Sequence, residues 1–360
     1  MSMKDIDEAT RWYEQNQSLF ESLANKVADI LKENVEEKQV QYHSISFRRK
    51  SLESFTAKAK KDKYADPANQ IMDIAGVRVI TYLETDVSRI AEIIEGLFDV
   101  DLANSLDQSK LLGSDRLGYR SVHYVAKFDK NRCKLPEYKR YKGLPFEIQI
   151  RSLLQHAWAE IEHDRNYKFS GKLPTELERR FYLIAGALEI ADHEFVAIAT
   201  EIDKYKNEVK QDLMRGDLDI EITTASLTEY LSNRFSKLAK NIPRERIYGR
   251  PSKSEELGKL IVEELELFGI KKLEQLDKVI PKSFEDDYLA IVPAPTFLGI
   301  VGDILIISDF KRYFEVSWRQ SWTGMKASGA KLLAKYGVDM NYLKKHDISI
   351  TPEPIDADKR

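Results

Sequence analysis

"EIQIRSLLQHAWAEIEHD", residues 147–164, changes its period halfway along. Up to Arg151 it alternates: Glu147, Gln149 and Arg151 fall on one side, and Phe146, Ile148 and Ile150 on the other. That is a strand with one polar face. From Ser152 onward Leu154, Ala157, Trp158 and Ile161 recur at helical intervals, opposite a stripe of His156, Glu160 and His163 at i, i+4 and i+7. The stripe has the geometry of a zinc helix, but the sequence offers no further ligand for it. The expectation is a strand leading directly into a helix whose polar stripe supports the strand. Leu154, Trp158 and Ile161 are expected to pack it into the core.

The same logic extends outward. "VRVITYL" (77–83) and "RSVHYVAKF" (120–128) predict two more strands, and "VSRIAEIIEGLF" (87–98) a helix. Residues 4–37 place Trp12, Leu19, Leu23, Val27, Ile30 and Leu31 at helical spacing. Residues 47–63 read as a turn leading into a second helix, 101–117 as a loop, and 175–212 as a long helix. Gly216-Asp217 predicts a boundary. Beyond it, helices are expected near 226–240, 255–268 and 324–336, with a strand-like "GDILIIS" at 302–308. The fold class is therefore α+β: a mixed β-sheet flanked by helices over 1–215, and a smaller α+β domain over 218–360.

Composition narrows the class. The 360 residues carry a net charge of −3, which argues against a globally basic nucleic-acid binder. A single cysteine, Cys133, excludes an intrachain disulfide and a cysteine-based zinc cluster. The charged N-terminal stretch shows no signal peptide, and no apolar run is long enough to span a bilayer. A cytoplasmic protein without membrane contact is expected.

The polar signal crowds between residues 48 and 168. Residues 48–63 hold seven Lys/Arg against two acids. Lys50, Ser54 and Lys58 fall four apart, so two ammonium groups and a hydroxyl could converge on a polyphosphate. Asp73 precedes the strand that contains Arg78, an arginine in an apolar run that requires a partner. In "GYRSVHY" (118–124) Tyr119 follows a glycine, and Ser121 and His123 alternate. Asp73 and Glu147 together supply the two carboxylates that Mg²⁺ uses beside phosphates.

These residues resemble the RelA/SpoT-type nucleotidyltransferases, and among them the single-domain small alarmone synthetases. Four ordered blocks carry the resemblance: Arg-x-Lys-x3-Ser-x3-Lys at 48–58, "DIAGVR" at 73–78, "GYRSVH" at 118–123 and "EIQIR" at 147–151. The hydrolase half of the long enzymes has no counterpart. The resemblance implies a nucleotidyltransferase-like fold and transfer of pyrophosphate from ATP to the 3′-hydroxyl of GTP or GDP, making (p)ppGpp. It implies that Arg48 and Arg78 sandwich the adenine, that Lys50, Ser54 and Lys58 hold the ATP phosphates, and that Asp73 and Glu147 hold Mg²⁺. Glu147 is further implied to receive the acceptor's proton. Tyr119 is implied to stack on guanine, with His123 and Gln149 beside the acceptor nucleotide and Lys110 and Arg116 on its phosphates.

Two alternatives stand beside this. Some relatives are toxins that pyrophosphorylate the tRNA 3′ end, and residues 218–360 would then be a fused antitoxin or a phage sensor. Lys127, Lys130, Arg132, Lys134, Lys139, Arg140 and Lys142 could contact such an RNA, or form an ordinary solvated loop. The other alternative is a nucleotide-binding pseudo-enzyme that regulates a partner. The sequence is compatible with a homo-oligomer.

Overall fold

The computed structural model describes residues 6–107, 121–168, 174–243, 247–248, 254–318 and 322–353. The chain divides into two compact units, Met1–Thr200 and Glu201–Arg360.

The first unit is built on a mixed sheet. Helix α1 (Ile6–Glu37) buries Tyr13, Phe20, Leu23, Val27, Leu31 and Val35 along one stripe, the spacing that amphipathic periodicity requires. It lies against β1 (Ser44–Arg49) and β2 (Ala75–Thr81). Between these strands come α2 (Leu52–Ala59) and the single turn α3 (Pro67–Gln70). Helix α4 (Glu84–Leu97) buries Val87, Ile90, Ile93 and Ile94, and precedes the short strands β3 (Asp99–Val100) and β4 (Leu106–Asp107). Strands β5 (Val122–Lys127) and β6 (Phe146–Ser152) complete the sheet.

Its order is β1-β2-β6-β5-β3, with β4 also on β5. Only the β2–β6 pairing is parallel. The first residues of the stretch expected as a turn leading into a helix are edge strand: Arg48 and Arg49 end β1, a position where charged side chains are tolerated because, among the described residues, no strand pairs with its outer edge.

Strand β6 passes without a loop into α5 (Leu153–Lys168). Ser152 caps the helix: its Oγ accepts from Gln155 N (3.2 Å), and Gln155 Oε1 accepts from Ser152 N (3.2 Å). This reciprocal pair is a capping box, written in the sequence as S-x-x-Q. Trp158 is buried as expected and donates from Nε1 to Phe181 O (3.1 Å). Ile161 is not buried; 56% of it is exposed. The helix therefore covers the unit with one turn's worth of its apolar side rather than the whole stripe.

Helix α6 (Thr175–Arg215) runs across the boundary between the units. Gly216, at φ +78°, ends it. Asp217 N bonds to Asp212 O (2.9 Å) and Gly216 N to Leu213 O (3.1 Å), a Schellman cap. The sequence boundary at 216 is thus a helix terminus, whereas the compact units part at 200/201 inside the helix.

The second unit is mainly helical. In order it contains α7 (Thr224–Arg234), α8 (Ser236–Ala239), α9 (Ser254–Leu267), α10 (Leu273–Val279), α11 (Phe284–Ile291) and α12 (Phe297–Arg312). Strand β7 (Gly324–Lys326), α13 (Ala327–Lys335), α14 (Met340–Lys345) and β8 (Ser349–Thr351) follow. The two strands pair in parallel. "GDILIIS" is helix, not strand: it is the middle of α12, with Ile300, Val301, Ile304, Leu305 and Ile306 buried. An apolar run of this length has no period of its own, and Thr296 decides it by capping the helix from Oγ1 to Gly299 N (3.1 Å). Among the described residues no helix is long and apolar enough to cross a membrane.

Candidate active site

The sheet has an apolar face and a polar one, and register assigns the polar face. Arg48 pairs with Gly76, Gly76 with Glu147, Arg78 with Gln149, and Gln149 with His123. Paired residues project to the same side and successive ones to opposite sides. Arg48, Arg78, His123, Glu147, Gln149 and Arg151 therefore share one face across four strands. Val77, Val79, Ile148 and Ile150 occupy the other, inside the core.

Glu147 is held on both oxygens. His123 Nδ1 donates to Oε1 (2.9 Å), and Gln149 Nε2 donates to Oε2 (2.9 Å). Arg151 in turn donates to Gln149 Oε1 (2.9 Å) and orients that amide. Because a carboxylate only accepts, Nδ1 carries the proton. Burial works to raise the Glu147 pKa, but His123 and Gln149 outweigh it and hold it below the usual glutamate value. His123 Nε2 is buried and has no partner within the described protein.

A second cluster forms where α2 meets the start of β2. Lys50 Nζ and Lys58 Nζ both reach Asp73 Oδ2, at 2.7 and 2.9 Å. Burial would raise the Asp73 pKa, but the two ammonium groups win and lower it. The Lys58 pKa is raised for the matching reason: Asp73 more than offsets burial. Asp73 Oδ1 is buried without a hydrogen bond. Local folding explains the convergence. Tyr13 on α1 donates its hydroxyl to Lys50 O, and its ring stacks on Phe55 of α2 at 4.4 Å. Phe55 thereby seats the helix that carries Lys58 three residues later.

Ser54 is not part of this cluster. Its Oγ accepts from Ser51 Oγ (2.8 Å) on the exposed side of α2. Arg78 finds the partner its sequence position demanded: its guanidinium donates to Glu160 Oε1 (2.9 Å) on α5. That pairing uses the glutamate of the opening stripe. His156 Nδ1 lies 3.7 Å from the same oxygen, too far for a hydrogen bond. Burial and the neighbouring Arg78 charge lower the His156 pKa. Among the described residues no three His, Cys, Asp or Glu side chains converge to hold a metal. Tyr119, Lys110 and Arg116 lie outside the described residues.

Residues 47–172 match the family model described as the region found in RelA / SpoT proteins. The chain carries a RelA/SpoT-type synthetase domain. GTP pyrophosphokinase YjbM of Bacillus subtilis is 29% identical over 163 residues, 44% of this chain and 73% of that protein. GTP pyrophosphokinase YwaC of the same organism is 28% identical over 133 residues, and the alignment spans 60% of its length. The crystal structure of small alarmone synthetase 1 from B. subtilis aligns with 55% of this chain and 99% of its own, at 26% identity and a TM-score of 0.45. Every described polar residue of the two clusters lies within the matched span of the synthetase domain. Helix α1, which seats α2, precedes it.

The sequence left two contacts of the synthetase domain unnamed. The stripe of α5 was expected to support the strand, and Glu160 does so as the partner of Arg78. His123, expected beside the acceptor nucleotide, also bonds Glu147 through Nδ1; the alternation in both strands put them on one face, but only register makes them neighbours.

Proposed function

We propose that the synthetase domain transfers the β,γ-pyrophosphate of ATP to the 3′-hydroxyl of GTP or GDP, forming (p)ppGpp and AMP. The observation that carries this reading is a pair of clusters: two lysines gathered on Asp73 where α2 meets the start of β2, and Glu147 fixed by His123 and Gln149 on the polar face of the sheet.

Each cluster suits one half of the reaction. Lys50 and Lys58 are compact cations already collected at one point, and a polyphosphate can draw both from Asp73 together. Asp73 is then left with its oxygens open, one of which already lacks a partner. Asp73 and Glu147 interact electrostatically, and such an oxygen-only pair beside phosphates fits Mg²⁺. When bound, Mg²⁺ supplies charge neutralisation and orientation of the phosphates. Arg48 and Arg78 stand diagonally on adjacent strands. A diagonal spacing of about 7–8 Å admits one flat base between two guanidinium planes.

Glu147, ionised and fixed, accepts the proton of the 3′-hydroxyl as its oxygen bonds to the β-phosphorus and the bond to the AMP oxygen breaks. Gln149 keeps Glu147 aimed, and the free Nε2 of His123 offers a polar contact to the acceptor. Tyr119, Lys110, Arg116 and Ser54 complete the proposed substrate contacts.

The test is purified protein with Mg²⁺ and ATP labelled in its terminal phosphates, offered GDP, GTP or deacylated tRNA. Label on a guanosine nucleotide is expected, and Glu147→Gln should lower the rate by about 10²–10⁴-fold. Label on tRNA alone overturns the alarmone reading. Three of the basic residues that an RNA could use are already engaged inside the unit: Arg132 packs over Phe128 at 5.7 Å, Arg140 over Tyr141 at 4.7 Å, and Lys134 bonds Asn131. Transfer to no acceptor overturns the enzymatic reading altogether.

A further inference from the structure

The second unit contains a cavity of about 360 Å³ that the synthetase chemistry does not use. That volume lies in the range of small-molecule sites. Its floor is α12, where Gly299, Gly302, Asp303 and Ile306 share one face. A side chain at Gly302 would meet nothing within 4 Å, so the glycine leaves room rather than relieving a clash. The walls are apolar and aromatic, including Leu260, Val292, Met325, Tyr288, Tyr313 and Trp322.

The charged groups are unevenly signed. Asp303 projects from α12, Glu264 from α9 and Glu353 from the segment after β8, while Lys326 of β7 is the only cation among the described lining residues. Glu264 accepts from the Tyr313 hydroxyl (2.9 Å), which accepts from Trp322 Nε1 (3.1 Å). Glu353 accepts from Ser328 N (3.1 Å) at the rim. Asp303 interacts with the Tyr288 hydroxyl and has no ion pair with any described residue. Burial raises its pKa to about 7.

We propose that this cavity binds a small organic cation, an ammonium group at Asp303 on an apolar body that lies against Tyr288, Tyr313 and Trp322. An anion would face three carboxylates and one lysine. A bare metal ion would lack an oxygen cage, since most of the wall is carbon. A neutral apolar guest would leave the Asp303 carboxylate desolvated with no counter-charge beyond its contact to the Tyr288 hydroxyl. An ammonium group satisfies the carboxylate, and the aromatic faces add attraction for the positive charge. This inference is independent of the proposed synthetase activity.

The test is calorimetric binding of 2-phenylethylamine to the full chain, with 2-phenylethanol and 3-phenylpropionate as neutral and anionic comparisons. The amine stays protonated throughout the range used, so pH acts on the protein. Asp303 and the other lining carboxylates favour the cation when ionised. Lys326 also faces the cavity, and the tyrosines Tyr288 and Tyr313, whose hydroxyl pKa values are raised, keep their protons between pH 6 and 8. Binding of the amine should tighten about tenfold from pH 6 to pH 8, following ionisation of a group near pH 7. Asp303→Asn should abolish that dependence and weaken the amine about tenfold at pH 8; circular dichroism checks that it folds. Gly302→Leu should fill the cavity and block the amine. The proposal is overturned if 2-phenylethanol or 3-phenylpropionate binds as tightly as the amine at pH 8. It is equally overturned if Asp303→Asn retains the wild-type affinity and pH dependence, if the folded Gly302→Leu chain binds unchanged, or if no amine binding is measurable at millimolar concentration.

Discussion

Arg78 interrupts an otherwise apolar strand, and its partner decides what it can do. Glu160 holds the guanidinium at 2.9 Å and limits its rotation. Arg78→Lys keeps the charge but loses the plane, so stacking on a base is lost while phosphate attraction is not. The expected outcome is a rise of about tenfold in KM for ATP with little change in kcat. Glu160→Gln should raise the same KM only a few-fold, because an amide still accepts the hydrogen bond. Steady-state kinetics with varied ATP checks both; a loss confined to kcat contradicts the assignment of Arg78 to the ATP base. At this scale the sequence was informative. Alternation alone put Glu147, Gln149 and Arg151 on one face, and the structure adds only the hydrogen-bond ladder between them. Glu160 was harder to read because its partner lies 82 residues away.

A second residue carries a pH dependence. Asp192 of α6 is 2% exposed and accepts from Ser152 Oγ at 2.6 Å. Burial raises its pKa, with the Ser152 hydrogen bond opposing and the Glu84 charge adding to the rise. An acid whose folded pKa is raised favours the fold while protonated. Its contribution is fully present below the usual aspartate value, and is lost as pH rises from there through the raised one. Asp192→Asn keeps an acceptor for Ser152 and cannot ionise. It should therefore raise the melting temperature near neutrality and leave it unchanged in acid. Thermal melts across pH check this, and a variant less stable at neutral pH would contradict it.

Among elements, α2 shows how packing reaches the site. It is only eight residues long, too short to persist alone in water. Phe55, fully buried against Tyr13 and Trp12, holds it to α1 and so holds Lys58 on Asp73. Phe55→Ala should cost about 3–5 kcal/mol. Phe55→Leu should cost far less yet raise KM for ATP, because the ring contact that orients the helix is gone. Denaturant unfolding and kinetics together separate the two effects. The sequence marked α2 by its spacing but could not show that α1 seats it. It misread α12 for the converse reason: a buried helix with apolar residues on nearly every side has the composition of a buried strand. Length and the Thr296 cap were the discriminating signals. For α5 the change of period at Ser152 gave the start, and the structure adds the capping box there.

At the scale of the molecule, the described residues form two hydrophobic cores that share no buried residue. One gathers Tyr13, Phe20, Phe55, Phe146 and Ile148; the other gathers Phe235, Phe284, Phe297, Ile304 and Leu332. Separate cores predict separate cooperative transitions in calorimetry. Substitutions assign them. Phe55→Ala should lower one transition and leave the other in place. Asp303→Asn acts on the second: its folded pKa of about 7 exceeds the usual 3.8, so the stability due to its protonated form is lost as pH rises from about 3.8 through about 7. The asparagine variant removes that loss, and the second transition should rise by roughly 2–4 kcal/mol of stability at pH 8 while changing little at acid pH. The first transition should not respond at either pH. A single transition that moves with both substitutions would mean that the long helix α6, which crosses the boundary, couples the two cores into one folding unit.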